Sequence, residues 1–145
     1  MKTFVVLITV VAGLAVGGGG AAQSAQFPRA SLQVDSFATQ LHLERIYWVG
    51  PDGQTYPVDR WYEWTATVTW SHLPATVESL RIEDAAKDQF VTVDVTGSTS
   101  YTFSGTYANG FWAFPGDTIG FTLNACLRPR GQTCLQYVAN TQVPN

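Results

Sequence analysis

From Tyr62 to Trp70 the chain reads Y-E-W-T-A-T-V-T-W, with Tyr62, Trp64, Ala66, Val68 and Trp70 on one parity and Glu63, Thr65, Thr67 and Thr69 on the other. Successive side chains of a strand point to opposite faces, so the stretch predicts a strand with one apolar and one wet face. Threonine suits the wet side, because its branched Cβ favours extended backbone without requiring burial. A sheet with one apolar face needs a second layer over it, which predicts an antiparallel sandwich or a flattened barrel.

The same two-residue rhythm recurs along the chain. Leu32 and Val34 alternate with Ser31, Gln33 and Asp35. Leu41 and Leu43 then hold odd positions while Ile46 and Trp48 hold even ones. That change of parity at Glu44-Arg45 predicts a β-bulge or a strand that switches sheets. Gly50-Pro51-Asp52-Gly53 predicts a turn, and Tyr56-Pro57-Val58 an edge or connector, because proline offers no ladder N–H. Leu80 and Ile82 predict a short strand broken by the polar run Glu83–Asp88, which has room for one helical turn. Val91, Val93 and Val95 follow, then Tyr101, Phe103 and Tyr107, with Gly105 a candidate bulge. Pro115-Gly116-Asp117 predicts a turn into Ile119, Phe121, Leu123 and Ala125, and Leu135, Tyr137 and Ala139 make the last strand. The sum is about seven to eight short strands at spacings of roughly 8–12 residues, the pattern of a Greek-key sandwich. The fold class expected is all-β, one antiparallel β-sandwich over residues 25–145, with residues 25–38 as an extended lead and first strand. In architecture this resembles an immunoglobulin-like or fibronectin-like module, although the inter-sheet Cys…Trp…Cys spacing of antibody-type domains is absent.

Composition narrows the functional classes. The 145 residues are 46% hydrophobic, enough for one core and hardly for two. Charged residues make up 13%, about half the usual share of ~25%, so hydroxyls and amides supply the surface polarity. Net charge is −3 and the lysines are Lys2 and Lys87, which leaves no basic stripe to follow phosphates and excludes nucleic acid as a partner. The start of the chain, a basic Met1-Lys2-Thr3, the apolar run Phe4 to Val16, four glycines and Ala22-Gln23-Ser24, has the layout of a cleaved secretory signal over residues 1–24. The apolar run is shorter than the ~20 residues of a membrane span, and no second span follows, so no membrane span is expected after processing. A secreted or cell-surface location is the expectation. Export permits a disulfide, and Cys126 and Cys134 are the two cysteines. They predict a staple across one hairpin, on its outer face, around the turn-forming Arg128-Pro129-Arg130-Gly131.

Reactive chemistry is sparse. His42 and His72 are the two histidines, and neighbouring Ser71 and His72 point to opposite faces of a strand, so they cannot act as a nucleophile and base. Neither G-x-S-x-G nor H-E-x-x-H occurs. Pro115-Gly116-Asp117-Thr118-Ile119 resembles a cupredoxin segment, but no His follows Cys126 and the single Met is Met1, which excludes blue copper. Glu83, Asp84 and Asp88 match no calcium-loop spacing, with Lys87 among them, and read as a solvated turn. No catalytic, cofactor or metal residue is expected, and the chain reads as a non-enzyme. The informative excess is aromatic. Trp48, Trp61, Tyr62, Phe111 and Trp112 are the candidate ligand or interface residues, as rings for a protein contact or for sugar stacking, unless they plug the ends of the sandwich. Two functions of different class follow. One is a structural or adhesive subunit that self-associates, or joins other surface proteins, by adding its N-terminal segment Ala25 to Val34 to a neighbour's sheet. The other is a module that binds polysaccharide through those aromatics. A small inhibitor or toxin presenting Arg128-Pro129-Arg130 is a third.

Overall fold

The computed structural model describes residues 10–11, 29–127 and 133–145. Most of the expected leader, and the Arg128-Pro129-Arg130 loop, lie outside the described residues. The described chain is an all-β sandwich with antiparallel sheets. In chain order its strands are β1 (Val10–Val11), β2 (Ser31–His42), β3 (Ile46–Val49), β4 (Thr55–Val58), β5 (Trp61–Ser71), β6 (Thr76–Asp84), β7 (Gln89–Asp94), β8 (Ser100–Gly105), β9 (Thr118–Leu127) and β10 (Thr133–Gln142). The 3-10 turn Ala85–Lys87 joins β6 to β7 where the polar run has room for it.

One sheet has the order β2-β5-β8 and the other β1-β10-β9-β6-β7, while β3 and β4 pair with each other alone. The chain therefore crosses between the two main sheets after β5, after β7 and again after β8. The central strand β5 buries Tyr62, Trp64, Ala66, Val68 and Trp70, as its alternation requires. Facing it, β6 and β9 bury Leu80, Ile82, Ile119, Phe121 and Leu123 at 1% exposure or less. At ~25 cal/mol per Å2 of apolar surface, such side chains contribute roughly 1.5–3 kcal/mol each, and together they hold the two sheets face to face.

Two irregularities explain how β2 reads in sequence. The register slips between Val34 and Ser36, so a bulge at Asp35 moves the inward set from Leu32 and Val34 to Phe37. Beyond His42 the chain leaves β5 and builds the hairpin β3–β4, so the parity change near Glu44-Arg45 is a strand that switches sheets. Gly53 turns that hairpin with φ 77°, and its N–H donates to the Gly50 carbonyl at 2.9 Å. Ser31–His42 pairs with β5 from end to end. Leu32 and Val34 are thus core residues of their own domain, within a strand that pairs with β5 on one side and stands at the edge of its sheet.

Candidate functional site

The hairpin β3–β4 folds over one end of the sandwich and creates a second apolar cluster. Ile46, Val58, Trp61 and Trp112 are buried there, with Trp48 and Phe114 packed against them. Trp112 meets Phe114 edge-on at 4.9 Å and Trp61 at 6.2 Å, and Trp48 meets Phe114 at 5.2 Å. These are the T-shaped contacts that the ring quadrupoles favour. Of the candidate ring residues, Trp61, Tyr62, Phe111 and Trp112 are 4–7% exposed, and Trp48 is half-buried. Tyr62 and Phe111 belong to the main core. None of the four buried rings has a face free to stack on a sugar. The exposed rings among the described residues are others: Tyr47, Tyr56, Phe90 and Tyr107.

The polar candidates separate. His42 stacks on Trp61 at 4.1 Å, and its Nε2 lies 3.8 Å from Glu63 Oε2. Exposed His72 adopts φ 56° where the chain turns out of β5, and Ser71 pairs its hydroxyl with that of Ser31 at 3.2 Å. Cys126 and Cys134 stand directly opposite in the β9–β10 hairpin and are disulfide-bonded. Cys134 is exposed and Cys126 is nearly covered.

Glu83, Asp84 and Asp88 do not form one solvated turn. Glu83 accepts two N–H bonds from the Arg81 guanidinium, at 2.6 and 3.0 Å, and Asp88 is exposed with φ 52°. Asp84, by contrast, is fully buried, and neither of its carboxylate oxygens has a hydrogen-bond partner. The parity of the sequence carried this signal. Asp84 continues the inward set Leu80 and Ile82, and Asp117 precedes the inward set Ile119 and Phe121. Asp84 lies opposite Ile119 in the ladder, so the strand pairing brings Asp84 and Asp117 to one end of the same inner face.

Lys87 closes this end from the 3-10 turn. It is 5% exposed, its Nζ donates to the carbonyls of Gly110 (3.1 Å) and Trp112, and it lies 3.9 Å from the Trp112 ring centre. Asp117 is 8% exposed, and its Oδ2 accepts the Phe114 N–H at 2.9 Å. Burial, then the charge and hydrogen bond of Asp117, push the Asp84 carboxyl up to about 7, and Lys87 only partly opposes this. Burial pulls the Lys87 ammonium down to about 8, against the attraction of both aspartates. As two anions the aspartates have no hydrogen bond to offer each other. With one proton shared between them they do, and Asp84 is its natural holder. The result is a buried Lys–Asp–Asp cluster under aromatic cover, whose two aspartates alternation sets inward and a reading by local polarity misses.

Outside this end, sheet β2-β5-β8 presents a hydroxyl face. Thr65 pairs with Ser104, and Thr67 with Thr102, each at 2.8 Å. Among the described residues no three His, Cys, Asp or Glu side chains converge as a metal would require, and no helix is long and apolar enough to cross a membrane. The molecule is thus defined as an antiparallel all-β sandwich with an inserted hairpin and a stapled β9–β10 ribbon. No protein-family model, curated protein or solved structure matches the chain.

Proposed function

We propose that the chain is an exported, non-enzymatic structural or adhesive subunit that associates through the outer edge of β10. One observation carries this reading. Val10 and Val11 pair antiparallel with Val138 and Tyr137 along that edge, so the edge accepts an apolar strand running against it. Removal of residues 1–24 on export would vacate it, leaving unpaired N–H and C=O groups of the kind that template strand addition. The symmetric occupant is β10 of a second copy, because two antiparallel edges related by a two-fold axis make a self-complementary interface. The weakly charged surface supports the same reading, since it opposes such contact little.

The test is sedimentation velocity on a chain beginning at Ala25. It is expected to associate with rising concentration, and Val138→Lys, a charge on a half-buried edge position, is expected to keep it monomeric with unchanged circular dichroism. A chain from Ala25 that stays monomeric at every attainable concentration refutes the proposal.

A further inference from the structure

A buried carboxyl with no donor facing it, a buried amine and a second buried carboxyl stand together at the hairpin-covered end, and Asp84 satisfies no backbone group there. An unpaired buried polar group costs stability, so its presence calls for a use. We propose that Lys87 and Asp117 condense into an intramolecular amide, with Asp84 relaying the protons.

The geometry brings the reacting groups along one short piece of backbone. Lys87 Nζ is held by the Trp112 carbonyl, and Asp117 Oδ2 by the N–H of Phe114, two residues further on. No ion pair closer than 4.0 Å already ties the ammonium to either aspartate. Reaction therefore requires the flexible lysine stem to swing Nζ from the Trp112 carbonyl to the Asp117 carboxyl carbon. Buried Trp112 and partly buried Phe114 cover the place, and exclusion of water favours both a neutral amine and the loss of water.

The step balances without any further reagent. The Lys87 ammonium gives up two protons, its nitrogen bonds to Asp117 Cγ, and one Cγ–O bond breaks. The departing oxygen takes both protons and leaves as water, and the positive and negative charges cancel. Asp84, next to that oxygen, donates a proton to it and recovers one from nitrogen. The oxygen that remains on Asp117 keeps its bond to the Phe114 N–H. The product ties the 3-10 turn after β6 to the start of β9, independently of whether β10 associates.

The experiment is intact-mass spectrometry of the folded protein, followed by peptide mapping. The expected mass is one water below that of the disulfide-bonded chain, with one branched peptide joining the Lys87 and Asp117 segments. Lys87→Arg and Asp117→Ala are expected to restore the full mass, and Asp84→Ala to restore it while both reacting residues remain. Formation after refolding is expected to peak between pH 7 and 8, where the falling protonated share of Asp84 and the rising neutral share of Lys87 overlap most. Full mass in the folded, unsubstituted protein overturns the proposal, as does a water loss mapped to any other pair. An undiminished loss in Asp84→Ala, or a rate indifferent to pH, overturns the role given to Asp84.

Discussion

Gly105, the last residue of β8, decides how closely the segment after β8 can approach the central strand. A Cβ built there would stand 2.2 Å from Trp64 Cε2 and Nε1 and 2.3 Å from the Phe111 carbonyl oxygen. That methyl would displace the buried bond, 2.6 Å long, from the Trp64 indole N–H to the Phe111 carbonyl. The residue is not held in the left-handed region, so the demand for glycine here is one of space. Gly105→Ala therefore combines overpacking, about 1–3 kcal/mol, with a buried carbonyl left unpaired, about 1–3 kcal/mol. The expected loss is about 2–6 kcal/mol out of the ~5–15 kcal/mol that holds a domain together. At about 4 °C per kcal/mol, the melting point falls by roughly 8–24 °C. Urea unfolding followed by tryptophan fluorescence reads the first quantity and circular dichroism on heating the second. Trp64→Phe in the same chain removes the indole side of the clash and the same hydrogen bond, so the double variant is expected to lose ~0.5–3 kcal/mol less than the sum of the single losses. A Gly105→Ala loss below about 1 kcal/mol, or strict additivity in the double variant, refutes the reasoning.

Truncating Leu80, fully buried between the sheets, to Ala is expected to cost about 2–5 kcal/mol in urea unfolding, through lost transfer energy and the cavity left behind. Replacing both Cys126 and Cys134 by Ala removes a link with a sequence separation of 8, and the loop-length relation puts the loss at about 2–3 kcal/mol, read as a lower urea midpoint with an intact fold. Tyr56 donates its hydroxyl to Asp52 Oδ2, and this bond, followed by the Gln54 N–H, holds the Asp52 carboxyl below its ordinary value. A lowered carboxyl favours the fold above the ordinary aspartate range and loses that contribution as pH falls through the folded value. Tyr56→Phe is expected to move the Asp52 titration, followed by carbon-detected NMR, upward toward the ordinary range.

The strands were legible wherever one face is wet and the other dry. On β5 five same-parity residues go inward as the alternation requires, and the turn at Gly50 to Gly53 and the bend at Pro115-Gly116 stand where their glycines permit. Legibility failed where tertiary contacts overrule parity. Trp61 is off the inward parity of β5 yet buried, because the β3–β4 hairpin brings a separate core to that side. The slip at Asp35 is invisible locally, since a polar pair inside a strand reads as its end. Asp84 shows the opposite error, for its parity placed it inward while its acidic neighbours suggested water. The N-terminal strand was legible as a strand from Ser31 on, but alternation does not identify its partner. That partner is the chain's own β5, at a distance in sequence that no local pattern encodes.

The paired hydroxyls of Thr65 with Ser104 and Thr67 with Thr102 have one last consequence. A wall finished in alcohols, over a body with 13% charged residues, offers dissolved ions little to shield. Its stability is therefore expected to change less between low and high salt than that of a scaffold laced with surface ion pairs.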